Sequence, residues 1–191
     1  MMKSIIWFFE DLIWNFRCNY GLRLHGFTGL SSVLKRIPDR FLVKYLRKYG
    51  ATIGEKVHIE SGFYIHRPLW KKKPFENLSI GNFVYIGHDV IIDLSMPVIL
   101  KDACSIGSRV QIWTHSSYFR GITVENRDIH EFRGEVIIEE GAMIYSNTLI
   151  KQGVTIGAFA SISACSMVNT NVEAYATASG VPIKVIRKSP Q

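Results

Sequence analysis

Of the six histidines in this chain, His115 stands where chemistry is easiest to build. It lies in the run Ile112-Trp113-Thr114-His115-Ser116-Ser117, where a regular repeat stops and a long non-repeating segment, residues 114 to 135, begins. A histidine at the root of such a segment can project into a cleft. Its ring, with an ordinary pKa of about 6.5, can take and return a proton near neutrality. The bland alternative is a surface histidine in a loop. His88 and Asp93 come shortly before it and, on the residues alone, read as a solvated corner. His130 lies within the long segment and could close over a site. His58 and His66 read as exposed turn residues, and His25 supports no assignment.

The elements that must position these groups are set by a repeat. An aliphatic residue recurs every sixth position: Ile138, Ile144, Ile150, Ile156, Ile162, Val168 and Ala174. An earlier block runs Ile80, Ile86 and Ile92, then resumes two residues late on Leu94, Leu100, Ile106 and Ile112. A first trace appears at Ile53, Ile59 and Ile65. Neither helix nor ordinary strand has this period, whereas a parallel β-helix does. Each hexad supplies a short strand and a turn, and three hexads close one coil with the repeated residue pointing inward. Glycine follows it at Gly54, Gly81, Gly87, Gly107 and Gly157, where a Cβ would be crowded. A small or branched residue precedes the next beat by two, as at Val84, Val90, Val110, Ala142, Thr148 and Ser166. The repeat is interrupted at residues 66 to 79, at a two-residue slip near Asp93, and at residues 114 to 135. The last is a long loop of the kind that is usually functional or disordered.

Charge divides the chain. Residues 1 to 50 hold nine Lys or Arg against three acids, and the remainder holds fourteen against thirteen. The basic segment reads as two or three helices that either cap the open end of the solenoid or touch an anionic membrane surface, with Trp7, Phe8, Phe9 and Trp14 beside the cations. No uninterrupted run of about 18 apolar residues is present, so a conventional membrane span is not expected. No nucleic-acid recognition motif accompanies the charge. Cys18, Cys104 and Cys165 are odd in number and widely spaced, with Cys104 and Cys165 reading as small buried hydrophobes. That pattern fits a reducing cytosol rather than a disulfide framework. Three units result: residues 1–48, helical; 49–183, β-helix; and 184–191, a basic C-terminal tail.

The stretch from Val136 to Val172, the ending Gly180-Val181-Pro182 and the run Lys184-Val185-Ile186-Arg187-Lys188 resemble the hexapeptide-repeat acyltransferases. Tyr49 to Ile59 and Ile80 to Asp93 are similar to the branch that acetylates sugars, with exopolysaccharide (colanic acid type) O-acetyltransferases the nearest likeness. The resemblance spans about residues 45 to 188. It implies an all-β, left-handed parallel β-helix, a handedness that periodicity alone does not give. It also implies a cytoplasmic homotrimer, at the inner face of the membrane if the helices touch lipid, with active sites between subunits.

By the same resemblance the activity is transfer of an acetyl group from acetyl-CoA to a sugar hydroxyl during cell-surface polysaccharide assembly. The acceptor is a free sugar or a sugar-lipid. His115 would be the general base, His88 and Asp93 would face the acceptor, and the amides of Ser146 and Ala164 would meet the thioester and pantetheine arm. Lys184 and Arg187 would meet the nucleotide phosphates. Tyr145, Met143 and Asn169-Thr170-Asn171 depart from the family pattern around the donor. Amino-sugar N-acetylation and a non-catalytic scaffold are the alternatives. A zinc enzyme on this scaffold would need His58, His88 and His115 to converge. They lack the close histidine pair of the β-helical carbonic anhydrases, so no metal is expected.

Overall fold

The computed structural model describes residues 2–66, 73–120 and 128–188. The repeat winds into a triangular solenoid whose three walls are sheets of five, seven and five strands. Successive coils pair in parallel, and the beat residues fall into register as three internal ladders. The first is Ile53, Ile80, Leu100, Ile138 and Ile156. The second is Ile59, Ile86, Ile106, Ile144, Ile162 and Ala178. The third is Ile65, Ile92, Ile112, Ile150 and Val168. Every one of these residues is buried. Alternation within each short strand sends its neighbours outward.

Stacking explains the glycines. A Cβ added to Gly107 would lie 2.6 Å from the Ser146 amide nitrogen, and one at Gly157 would lie 2.4 Å from that of Ala174. The crowding comes from the backbone of the next coil. Positive φ falls elsewhere, on the third residue past each beat. Lys56, Phe83, Asp89, Ala103, Arg109, Asn147, Phe159, Cys165 and Tyr175 all take it there, at φ between 55° and 60°. Left-handed backbone costs an L-residue about 1–2 kcal/mol, so the corners are held by the ladders and not by local preference.

Two sequence expectations change at the end of the solenoid. Ala174 is exposed, and the inward residue is Val172, which bridges to Ile156. The final coil is therefore two residues short, and Tyr175 takes the corner conformation three residues after Val172. Cys165 is also exposed, because it occupies such a corner; Cys18 and Cys104 are buried. Burial pushes the Cys18 thiol up to about 11 and that of Cys104 up to about 12, so both stay protonated and unreactive near neutrality. The run read as a tail is a strand, Lys184–Lys188, antiparallel to Ala176–Ser179 at the end of the second sheet.

At the other end, α1 (Met2–Leu34) and α2 (Asp39–Lys48) lie against the first coil. Gly26 breaks α1 with φ 57° and ψ −145°, giving three helical pieces in all. Leu30, Leu34, Ile37, Leu42 and Leu46 are buried, continuing the core past the first coil. The Ser31 hydroxyl donates to the Ile65 carbonyl at 2.6 Å, tying α1 to the third ladder. No helix among the described residues is long and apolar enough to cross a membrane.

The interruptions of the repeat share one location. In sequence each follows a residue of the third ladder: Ile65, Ile92 or Ile112. All three therefore leave from the corner between the third and first sheets. The longest is not a loop. His115–Arg120 pairs antiparallel with Asp128–Arg133 in a two-stranded arm, His115 opposite Arg133. The ladders carry the fold's stability, so truncating one of their central rungs should be costly. Ile150→Ala should destabilise the protein by about 2–5 kcal/mol, read as a lower midpoint in urea unfolding. An unchanged midpoint would contradict this account of the core.

Candidate active site

The shared corner gathers three side chains that the sequence reading kept apart. His66 ends the strand Tyr64–His66, Asp93 ends Ile91–Asp93, and the two are paired in register. His115 begins the arm just past Ile112. Asp93 is expected to face outward, yet its side chain is fully buried. The two-residue slip and the start of the arm fold over it.

The Asp93 carboxylate organises the corner. Its Oδ2 accepts from the Thr114 hydroxyl at 2.5 Å, the Thr114 amide at 3.1 Å and His115 Nδ1 at 2.7 Å. Its Oδ1 accepts from the Ser95 hydroxyl at 3.1 Å. Ser95 sits in the slip itself, and Oγ is also 3.1 Å from His115 Nδ1. The Met96 amide donates to the Thr114 hydroxyl at 3.0 Å, and Gly134 closes the base of the arm by donating to the Thr114 carbonyl at 3.0 Å. An ionised carboxylate only accepts, so Nδ1 must carry the proton that it shares with Asp93. In the neutral ring this leaves the lone pair on Nε2, the tautomer a general base needs. The His115 side chain is only 10% exposed.

The reading of Asp93 as an acceptor contact gains no support here: its carboxylate is fully buried and taken up by Thr114, Ser95 and His115. His66, read as an exposed turn residue, is half-buried and lies parallel to His115, with ring centroids 5.9 Å apart and planes 2° apart. Trp113 packs its edge against His66 at 5.3 Å and donates its indole N–H to Gln111 at 3.1 Å. The signal for His66 was its place directly after a third-ladder isoleucine, the same place that Asp93 and Trp113 occupy. His66, Asp93 and His115 bring one ligand atom each within 4.8 Å of one another, close enough for a metal ion. The Asp93 oxygens, however, are committed to Thr114, Ser95 and His115.

The remaining candidates lie elsewhere. His88 is exposed at the corner between the second and third sheets, where Nδ1 meets the Ser61 hydroxyl at 3.2 Å and Nε2 lies 3.6 Å from Glu60. His58 binds the same Glu60 at 2.9 Å and stacks on Tyr85. That hydrogen bond holds the Glu60 carboxyl below its usual range. His58 and His88 thus share Glu60 and, within one chain, lie away from His115. His130 stacks on Tyr118 within the arm at 5.1 Å and does not fold over the corner.

Ser146 and Ala164 lie at the same corner as His88, on later coils. At this position in earlier turns the amide is capped by a side-chain oxygen of the next coil. Glu55 donates to Asn82, Asn82 to Asp102 and His88 to Ser108. Among the described residues no such acceptor faces the amides of Ser146 or Ala164, since the coil after Ser146 presents Ala164. Tyr145 is exposed beside them. Asn171, one of the departures, accepts from the Thr155 amide at 2.8 Å and so serves the last coil. Lys184 and Arg187 are exposed on the terminal strand. An open cavity of about 680 Å³ spans the outer face of the third sheet, lined by Lys35, Arg36, Tyr64, Asp89, Arg109 and Gln111. Tyr64 and Gln111 stand two residues before His66 and Trp113 on their strands and so face the same side.

No family model matches the chain. Among curated proteins it is 28% identical over 167 residues to YvoF of Bacillus subtilis (strain 168), provisionally assigned as an acetyltransferase, covering 84% of this chain and 86% of that one. It is 26% identical over 135 residues to a serine acetyltransferase of Bacillus licheniformis, spanning 70% of this chain but only 60% of that protein's length. The galactoside O-acetyltransferase of Escherichia coli K12 is 26% identical over 151 residues, 75% of this chain and 66% of that one. Solved structures share the fold. A hexapeptide-repeat acetyltransferase of Vibrio cholerae, complexed with acetyl coenzyme A, superposes with a TM-score of 0.71 at 23% identity, over 84% and 86% of the two chains. A galactoside acetyltransferase in complex with coenzyme A gives 0.68 at 22%, over 83% and 78%. These neighbours and the three parallel walls fit a left-handed β-helix. Repeat, coil register and sequence likeness agree, and the chain is similar in sequence and in fold to the hexapeptide-repeat acetyltransferases.

Proposed function

We propose that the protein transfers an acetyl group from acetyl-CoA to a hydroxyl of a carbohydrate in cell-surface polysaccharide assembly, with His115 as the general base. The observation that carries this is the buried Asp93–His115 pair, which engages Nδ1 and so assigns the accepting role to Nε2, at a corner that also holds His66 and Trp113. A sugar hydroxyl is almost un-ionised at neutral pH, so its attack on a thioester requires a base at the attacking oxygen. As the oxygen bonds to the acyl carbon, its proton passes to Nε2. The imidazolium that forms is stabilised by Asp93 through Nδ1. Collapse of the tetrahedral intermediate breaks the carbon–sulfur bond, and the proton passes from His115 to the departing thiolate.

The intermediate's oxyanion needs donors, and the amides of Ser146 and Ala164 suit that role and the binding of the pantetheine arm. Lys184 and Arg187, on the terminal strand beyond Ala164, suit the coenzyme's phosphates. Within one chain these donors are too far from the base. Ser146 lies at the corner between the second and third sheets, whereas His115 leaves the corner between the third and first, at the other end of the Leu149–Ile150 wall segment. A complete site therefore pairs the His115 corner of one protomer with the Ser146 corner of another, which supports a homotrimer with its sites between subunits. The names of the similar proteins support an acetyl donor. Galactoside and maltose O-acetyltransferases among the neighbours support a sugar acceptor. A serine acceptor is the second reading, favoured by the serine acetyltransferases among the relatives.

Calorimetry should show acetyl-CoA binding, and His115→Ala should leave that affinity nearly unchanged. The same substitution should lower acetyl transfer, assayed by thiol release against a panel of sugars and serine, by about a hundred- to ten-thousand-fold. Retained turnover would remove His115 from the mechanism. Asp93→Ala strips the buried Thr114 and Ser95 groups of their acceptor. It should cost about 1–3 kcal/mol in denaturant unfolding as well as activity; activity lost without destabilisation would contradict the hydrogen bonding described.

A further inference from the structure

The first turns of α1 are inside out. Glu10, Asp11, Asn15 and Asn19 face the protein. Glu10 pairs with Arg40, and Asp11 binds the Lys44 ammonium at 2.5 Å and the Tyr45 hydroxyl. Asn19 accepts from Tyr49 at 2.9 Å and from Lys48 at 3.2 Å. On this same side Cys18 is buried and Trp14 is half-buried. The opposite side carries Ile5, Phe8, Phe9, Leu12, Ile13 and Phe16, each 53–66% exposed. At 100° per residue these six, with Tyr20, occupy about 140° of the circumference. No charged side chain interrupts them between Ile5 and Phe16. An exposed apolar face of this size on a folded protein marks an interaction surface.

We infer that this face docks onto an anionic lipid bilayer, with α1 lying along the membrane plane. Charge selects the occupant. Both acids within the face's length, Glu10 and Asp11, are turned inward and paired, so what α1 presents outward is apolar and basic. Arg17 borders the face, Arg23 follows it along the helix, and Lys3 precedes it. That combination suits acyl chains beneath anionic headgroups. Packing against a second copy of the helix would bring the same cations together with no carboxylate to answer them. Spanning the bilayer is disfavoured by the same geometry, because it would strip Glu10 and Asp11 of Arg40 and Lys44. Of the aromatic residues the sequence suggested, Phe8 and Phe9 lie on this face and Trp7 and Trp14 do not. Trp7 carries Arg40 over its ring and Trp14 carries Arg17, while Phe8, Phe9 and Phe16 point outward.

The test is vesicle flotation of the full-length protein, which separates membrane binding from self-aggregation. Vesicles of phosphatidylcholine alone are compared with vesicles containing phosphatidylglycerol. The wild-type protein floats with the anionic vesicles, less with the neutral ones, and less as salt is added. The double variant Phe9→Glu/Phe16→Glu changes two outward side chains whose ring contacts, with Phe8 and Tyr20, lie on the same exposed face. It should keep its helicity by circular dichroism and its elution volume in gel filtration, while its partitioning falls about a hundredfold. A wild-type protein that does not float, or a folded variant that floats as well, would overturn the proposal. So would a wild-type assembly that ignores vesicles and that the variant dissociates, since the face would then belong to a second copy. None of these readouts depends on acetyl transfer.

Discussion

Everything in this molecule depends on the register between coils. A single coil of about 18 residues buries almost nothing by itself; its aliphatic corners become a core only when the next coil stacks on them. The three ladders impose this stacking. They also impose its local costs: nine non-glycine residues held at positive φ and five glycines kept small by the backbone above. Because the ladders tolerate no slip, any extra residues must leave the solenoid at a corner. All the extra length leaves at one corner, and the site is built from what leaves there.

The chemistry follows from that constraint. A two-residue slip supplies Ser95 and covers Asp93, and the arm supplies Thr114 and His115. A carboxylate buried in an apolar solenoid is costly unless its oxygens are satisfied. Here Thr114, Ser95 and His115 satisfy them, so the histidine's orientation and the carboxylate's stability come from the same hydrogen bonds. The rigid walls on either side fix the strand ends that carry His66 and Asp93. Positioning of this kind on regular elements is more exact than a loop could provide.

The six-residue period made the solenoid, its inward residues and the exit point at His115 legible in the sequence, since each depends only on local spacing. What stayed hidden depends on register between coils. His66 and Asp93 are neighbours in space because the coil between them lengthens at its corner, and no periodic signal reports such an extra length. Read against the third ladder, the breaks after Ile65, Ile92 and Ile112 would have pointed to one corner. The burial of Asp93 is hidden for the same reason: alternation places it outward, and its burial comes from Ser95, Met96 and Thr114 folding over it. The arm was read as a loop because the pairing of Tyr118 with His130 and Phe132 is aromatic contact across a hairpin without an apolar alternation. At the N-terminus, the aromatic and basic residues were visible but the facing of α1 was not. It is set by the partners that α2 and Tyr49 offer to Glu10, Asp11 and Asn19.

The central claim is that Asp93 holds His115 with its proton on Nδ1 and its lone pair on Nε2. Nitrogen-15 NMR of histidine-labelled protein, taken above the pH at which the ring becomes neutral, reads this directly. The account predicts an Nδ1–H tautomer at His115 that reverts toward the ordinary Nε2–H form in Asp93→Asn. An Nε2–H tautomer in the wild-type protein would contradict it, because the ring could not then accept a proton from the acceptor hydroxyl.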